Sequence, residues 1–212
     1  MHLLRRRAYA RTGLVGNPSD GYNGRTISLI VKNYWAEAVL YEWDDLELVL
    51  GAESTNRFGS IHELVRDVKL HGYYGGIRLV KAAIKKFAEY CVRQKIDLHD
   101  RNFSVRFGVR SRGRSAWPGR APSSSPRCGR LMDYYGVSIP LEVQPSLALS
   151  VEVEELGIAA GLQDRVIQVY EGLVSMDFGK DAMRGRTASS TASTSRSTRR
   201  SFRQCIWRTR PT

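Results

Sequence analysis

The chain has 212 residues, and its 33 Lys and Arg against 21 Asp and Glu give a formal net charge of +12. This length allows one or two compact domains, and a hydrophobic content of 42% is enough for a core. An uncharged apolar run of about 18 residues does not occur, which excludes a membrane-spanning helix, and the residues after the basic N-terminus are too polar for a secretory signal. Because Cys91, Cys128 and Cys205 share no short spacing, we expect a cytoplasmic protein without a zinc site or a disulfide framework.

The positive charge is concentrated in two segments. Residues 104–130 contain seven Arg and residues 184–212 contain eight, and neither segment has a Lys, Asp or Glu. The rest of the chain is therefore slightly acidic. A nucleic-acid partner would have to be bound by these two segments, because the remaining surface lacks the excess of positive charge that phosphate contacts require.

The first half of the chain predicts a sheet followed by helices. Residues 7–28 are typical of a strand that leads into a polar, turn-rich loop, and residues 26–50 of two strands broken by Asp44 and Asp45. Ser60 and Glu63 have the spacing of a capping box, which predicts a short helix over 60–70.

A longer helix is predicted over 77–92, because its apolar residues recur at helical spacing. We expect the charged residues between them to form a solvated face: Lys81, Lys85, Lys86, Glu89 and Arg93. Phe103, Val105 and Phe107 then alternate with polar residues, as in a strand.

After the first Arg-rich segment, ordered structure is expected to resume at 131–137. Pro145 is suited to the first turn of a helix over 146–156, and Gly157 ends that helix. A second short helix over 161–170 and a strand over 173–178 complete the pattern. Strands and helices in mixed order indicate an α+β domain spanning 7–180.

The loop GNPSDGYNG contains the first group of candidate binding residues. Asp20 and Asn17 lie among glycines that allow a ligand to approach the backbone closely, and sugars require such donors and acceptors. The alternative is an Asx-type turn in which Asp20 only bonds its own loop.

The second group is in VEVEELGIAAGLQDRV, where Glu152 and Asp164 are separated by a turn that contains glycine. Two carboxylates at one cavity could have separate roles in phosphoryl transfer, one holding Mg²⁺ and the other accepting a hydroxyl proton. The alternative is that Asp164 only caps the helix that follows it.

Together these motifs resemble the GHMP sugar kinases, and within them the plant-type glucuronokinases, over most of residues 7–180. The first motif is an Arg followed by Leu-x-Gly and an Asp, here Arg11, Leu14, Gly16 and Asp20. The segments HGYYGGIRLVKA and IDLHDRNFSV are similar to glucuronokinase segments. The segment LGIAAGLQDRVIQVYEGLVSMDF looks like the one that carries the catalytic Asp.

This resemblance implies the N-terminal domain of a GHMP kinase, of the ribosomal S5 domain 2-like fold, incomplete and followed by a disordered basic tail over 184–212. It implies ATP-dependent phosphorylation of the anomeric hydroxyl of a sugar acid such as D-glucuronate, with ATP and Mg²⁺ as cofactors. Membrane and nucleic-acid partners are not expected, and the oligomeric state is left open.

The resemblance also implies a role for each candidate residue. Asp164 would be the base or orienting carboxylate on the sugar hydroxyl, and Glu152 would be the Mg²⁺ ligand. Asn17 and Asp20 would bind sugar hydroxyls. Arg11 would lie near Asp164, favouring its ionised form and offsetting charge in the transition state.

One departure from the family pattern concerns the nucleotide phosphates. The Pro-x-x-x-Gly-Leu-x-Ser-Ser-type motif, whose amides hold phosphates at a helix N-terminus, should lie within an aberrant insert at 108–130 and is missing. The cofactor-binding residues are therefore unknown. Pro118, Pro122 and Pro126 also argue against a continuous helix there.

A change of reading frame explains the departure economically. One possible coding sequence for residues 116–127, read one nucleotide earlier, encodes Gly-Leu-Ala-Gly-Ser-Ser-Ala-Ile-Val-Ile-Thr-Ala. The tail has the same Arg- and Ser-rich composition, which suggests a second frame change and a truncated, inactive kinase. The alternative is a basic nucleic-acid-binding module in which Trp117, Phe202 and Trp207 stack on bases.

Overall fold

The computed structural model describes residues 3–50, 54–111, 125–180 and 206–208. Among these residues no helix combines the length and the apolar character needed to cross a bilayer. The predicted tail over 184–212 lies outside the described residues except for 206–208. The part of the insert between 112 and 124, with Trp117, also lies outside them.

The described strands form one mixed sheet built around a long second strand. Their bounds are β1 Leu3–Val15, β2 Arg25–Glu42, β3 Leu46–Leu50, β4 Ser54–Phe58, β5 Phe103–Ser111, β6 Leu173–Asp177 and β7 Ile206–Arg208. The order β4-β3-β5-β2-β6-β7 runs through β2, and β1 pairs with β2 as well. The pairing of β5 with β2 covers residues 34–42, whereas β6 pairs with residues 25–29. Strand β2 therefore joins two parts of the sheet.

Within the described ranges, five α-helices and two shorter helical turns accompany the sheet. They are a 3-10 turn Ser19–Tyr22, α1 Ile61–His71, α2 Arg78–Arg93, α3 Ser125–Tyr135, α4 Gln144–Ser150, a π-helical turn Val151–Glu155 and α5 Gln163–Tyr170. The predicted cap of α1 is confirmed, because the Ser60 hydroxyl accepts a hydrogen bond from the Glu63 amide at 3.2 Å. The α+β domain predicted from the sequence is likewise confirmed, with helices packed on one mixed sheet.

The core lies between the sheet and the first three helices. Leu46 and Leu48 alternate along β3, as Phe103 and Val105 do along β5, so that each pair projects from one face of the sheet. These side chains belong to one buried cluster with apolar residues of α1, α2 and α3: Leu64, Val68, Ile84, Phe87 and Leu131. A second cluster joins α5 to β6 through Val166, Ile167, Val174 and Met176.

The expectation that the charged residues of α2 form a solvated face is wrong at two positions. Lys81 is fully buried and Lys86 is 8% exposed. The Lys81 ammonium donates to the Asp67 carboxylate at 3.2 Å and lies 4.2 Å from the centre of the Tyr74 ring. Burial of these lysines is tolerated because each charge has an anionic partner, and the spacing of apolar residues does not reveal such partners.

Glu155 in the π-helical turn is the main anionic partner of α2. Its carboxylate accepts hydrogen bonds from Tyr73 and Lys85, both at 2.6 Å, and lies 3.3 Å from the Lys86 ammonium. Burial by itself would raise the pKa of Glu155, but the bonds from Lys85, Tyr73 and Lys86 outweigh it and hold this pKa below its ordinary value of 4.5.

The insert predicted at 108–130 is described only at its two ends. Strand β5 continues to Ser111, and α3 begins at Ser125. The expectation that Pro118, Pro122 and Pro126 interrupt a continuous helix stays a prediction, because residues 112–124 lie outside the described part of the chain.

We expect Glu155→Gln to destabilise the fold by about 1 to 3 kcal/mol, because Lys85 and Lys86 would lose a charged acceptor in a partly buried setting. The depressed pKa means that the carboxylate's contribution is complete above its ordinary value and is lost as pH falls through the folded-state value. The stability of the wild type should therefore fall more steeply below about pH 4.5 than that of the variant. Urea unfolding across this pH range measures both effects.

Glu154→Gln is the matched control, because Glu154 also pairs with Lys86 but its side chain is 63% exposed. We expect this change to cost less than about 1 kcal/mol. Equal losses in the two variants would contradict a special role for Glu155.

Candidate active site

The predicted site residues come together at the first turn of α5. Arg11 is on β1, Asp20 is in the loop after β1, and Glu152 is in the π-helical turn. Asp164 is the second residue of α5. Residues separated by up to about 150 positions in sequence thus meet at one helix terminus.

The loop after β1 owes its shape to a glycine. Gly16 has φ of +80°, in the left-handed region, and a Cβ there would collide with the Arg25 carbonyl. The chain then forms a tight turn in which the Ser19 amide bonds the Gly16 carbonyl. This turn places Asp20 beside the start of α5.

Asp20 contacts the backbone at the start of α5. Its Oδ2 accepts a hydrogen bond from the Gln163 amide at 3.3 Å. The alternative in which Asp20 only bonds its own loop is therefore wrong. The Gln163 side chain is buried and donates from Nε2 to the Ser28 hydroxyl at 2.6 Å, which fixes α5 against β2.

Asp164 faces the Arg11 guanidinium. The two residues form an ion pair through Nη2 of Arg11 and Oδ2 of Asp164, as the resemblance implied. The helix-cap alternative for Asp164 is wrong, because the N-cap position is occupied by Leu162 and Asp164 is already within the helix. The Asp164 side chain is 35% exposed whereas that of Arg11 is 8% exposed, so a ligand can reach the carboxylate while its partner stays buried.

Glu152 is buried against a second arginine. Its carboxylate accepts a charged hydrogen bond from Nη2 of Arg165. Nη1 of Arg165 donates to the Gly161 carbonyl at 2.9 Å and lies 3.6 Å from Oδ2 of Asp164. A continuous row of alternating charges therefore runs from Glu152 through Arg165 and Asp164 to Arg11.

The predicted magnesium ligand is not arranged as a metal site. Glu152 and Asp164 are each paired with a guanidinium, and no group of three or more His, Cys, Asp or Glu side chains within the described ranges is placed to hold a metal ion. Mg²⁺ is usually held by one or two carboxylates together with waters and substrate phosphates. The carboxylate of Glu152 is occupied by the buried Arg165 guanidinium, so Glu152 in this arrangement does not fit a protein-bound Mg²⁺.

The comparisons with known proteins point to one group of kinases. No protein-family model matches the chain. Glucuronokinase 1 of Arabidopsis thaliana is 42% identical over 183 residues, which are 85% of this chain and 50% of that protein. Probable glucuronokinase 2 of the same plant is 44% identical over 181 residues, 84% of this chain and 49% of that protein.

The chain is a homologue of the glucuronokinases. It spans about half the length of these two relatives. Its fold is that of the GHMP kinases, since it superposes on a mevalonate kinase with a TM-score of 0.66 at 17% identity, covering 84% of this chain and 55% of the other. The galactokinase of Lactococcus lactis matches with a TM-score of 0.65 at 13% identity, covering 84% and 45%.

Four of the five predicted site residues of this glucuronokinase homologue meet at α5. These are Arg11, Asp20, Glu152 and Asp164. Asn17 is exposed in the same loop, with its Cβ against Gly13. The segment that should hold the nucleotide phosphates falls largely within residues 112–124, outside the described part of the chain.

Two further residues of this site were not predicted from the sequence. Gln163 and Arg165 flank the predicted catalytic Asp164, and both are at most 3% exposed. The signal for Arg165 is a charged residue beside the apolar pair Val166 and Ile167 in a short helix. That pattern predicts a buried Arg165 guanidinium only if its anionic partner is known. The partner, Glu152, is 13 residues away in sequence, so no local pattern identifies it.

We expect Gly161→Ala to separate the loop after β1 from α5. A Cβ at this position would collide with the carboxylate of Asp20, so the Asp20 side chain would have to leave its bond with the Gln163 amide. The loss should be about 1 to 2 kcal/mol of stability. Urea unfolding measures this cost, and the amide NMR shift of Gln163 reports the lost hydrogen bond.

Gly21→Ala is the control in the same loop, because a Cβ there meets no atom within 4 Å. Its unfolding midpoint and the Gln163 amide shift should stay as in the wild type. An unchanged Gln163 amide in Gly161→Ala would contradict the proposed contact.

Proposed function

We propose that this chain carries the sugar-binding and catalytic carboxylate region of a GHMP-type sugar kinase that phosphorylates the anomeric hydroxyl of a sugar acid such as D-glucuronate. The observation that carries the proposal is the pairing of Asp164 with Arg11 beside the Asp20 loop. The identity to two glucuronokinases over 84 to 85% of this chain supports the substrate class.

The proposed reaction transfers the terminal phosphoryl group of ATP to the sugar. A bond forms between the anomeric oxygen and the γ-phosphorus, and the bond from that phosphorus to the β,γ-bridging oxygen breaks, leaving ADP. The proton of the hydroxyl passes to Asp164 and then to solvent. Positioning and charge supply most of the rate in such reactions.

The residues around Asp164 suit this reaction. The exposed third of Asp164 lets a hydroxyl reach its carboxylate. The buried Arg11 guanidinium orients that carboxylate and adds positive charge where the transferring phosphoryl group is negative. Asp20 and Asn17 in the neighbouring loop offer acceptors and donors for the other sugar hydroxyls.

ATP and Mg²⁺ are proposed as the partners of this reaction. When bound to ATP, Mg²⁺ supplies charge neutralisation of the phosphates. A cytoplasmic location stays a prediction. The disordered tail predicted over 184–212 is wrong at residues 206–208, which form β7 and pair with β6, and stays a prediction for the remainder. The nucleic-acid alternative also stays a prediction, because its supporting residues lie almost entirely outside the described part of the chain.

We expect the unchanged chain to bind ATP weakly or not at all, because its 108–130 segment lacks the glycine-rich phosphate motif. Replacing residues 116–127 by Gly-Leu-Ala-Gly-Ser-Ser-Ala-Ile-Val-Ile-Thr-Ala should strengthen ATP binding. Fusing that chain to the C-terminal domain of a GHMP kinase, which the resemblance implies as its other half, should allow phosphorylation of D-glucuronate. Asp164→Asn in that chain should lower turnover about 10² to 10⁴-fold, since an amide does not accept the proton. Calorimetry and ³¹P NMR of the sugar phosphate measure these effects.

A binding measurement that does not depend on ATP accompanies this test. Saturation-transfer NMR should detect D-glucuronate on the unchanged chain, and Asp20→Ala should abolish the signal. Galactose and mevalonate serve as comparison ligands. Absence of both glucuronate binding and phosphorylation, or Asp164→Asn turnover within about threefold of the parent, would overturn the proposal.

A further inference from the structure

We infer that Arg165 is a built-in cation that takes the place of a protein-bound metal ion between Glu152 and Asp164. This inference rests on the proposed function only for the role of Asp164. It reassigns Glu152 from magnesium ligand to the buried anchor of an arginine.

Both terminal nitrogens of the Arg165 guanidinium make contacts, whereas its buried Nε has no hydrogen-bond partner among the described residues. Nη2 donates to the Glu152 carboxylate, and Nη1 donates to the Gly161 carbonyl at 2.9 Å. The same Nη1 lies 3.6 Å from the Asp164 carboxylate. A planar fork of donors bonds two oxygens in fixed directions and keeps its charge close to a third, which a single ammonium does less well.

Burial makes this pairing strong and difficult to replace. The side chains of Arg165 and Glu152 are 3% and 9% exposed. A charge buried to this extent is unfavourable unless its partner stays in contact. A metal ion at Glu152 would therefore have to displace a guanidinium that has no other carboxylate than Glu152 and Asp164 among its contacts in the described residues.

Each carboxylate of the row already has a guanidinium partner. Arg11 pairs with Asp164, and Arg165 pairs with Glu152. A divalent ion at Glu152 would place a second cation against the buried Arg165 guanidinium. We therefore assign Mg²⁺ in the proposed reaction to the phosphates of ATP and not to Glu152.

The experiment measures Mn²⁺ binding and thermal unfolding of the full chain, neither of which requires turnover. Mn²⁺ is the probe, and its binding is monitored through the relaxation rate of water protons. The variants are Glu152→Gln, Arg165→Met and the double variant, with Arg165→Lys as the variant that keeps the charge.

We expect Glu152→Gln to leave Mn²⁺ binding unchanged and to lower the unfolding midpoint by about 6 to 12 °C, because it leaves a guanidinium buried without its main anion. Arg165→Met should create a Mn²⁺ site that the double variant and Arg165→Lys lack. The double variant should lose much less stability than the sum of the single changes.

The inference is overturned if Glu152→Gln weakens Mn²⁺ binding tenfold or more, since Glu152 would then be a metal ligand. It is also overturned if the two single losses of stability simply add. If Arg165→Met fails to fold, the comparison of wild type, Glu152→Gln and the double variant still tests the inference, because the double variant should be more stable than Glu152→Gln. Failure to phosphorylate glucuronate would remove the proposed function while leaving the coupling between Glu152 and Arg165 intact.

Discussion

The first turn of α5 is held by charges that come from three other parts of the chain. Arg11 of β1 and Asp20 of the following loop reach it from one end of the sequence, and Glu152 of the π-helical turn reaches it through Arg165. Each of these groups is wholly or partly buried, so each requires its partner. The mutual positions of strand, loop and helix therefore depend on this set of contacts.

The π-helical turn connects this site to the main core. Glu152 faces α5, whereas Glu154 and Glu155 bond lysines of α2. Such turns carry an extra residue relative to an α-helix and are frequent at functional sites. Here the turn brings neighbouring carboxylates to two different helices. The same short segment therefore supports both the packing of α2 against the sheet and the arrangement of charges around Asp164.

The comparisons and the site geometry contribute different kinds of knowledge. Identity to the glucuronokinases establishes the relationship over most of this chain, and the solved GHMP kinases establish the fold. Neither names the partners of individual side chains. The contacts of Glu152 come from the structure, and they place a guanidinium where the family resemblance had implied a metal ion.

The sequence by itself determined the strands of 26–50, the capped helix α1 and the helix α2, and it singled out Arg11, Asp20, Glu152 and Asp164 as candidates, because periodicity, caps and motifs are local signals. Only the tertiary structure decided that Lys81 and Lys86 are buried, that Asp20 bonds the start of α5 and that Arg165 pairs with Glu152. A charged residue has the same local pattern whether it faces water or a buried partner. The difference lies in a second residue that folding brings within hydrogen-bond distance, which no spacing along the chain specifies.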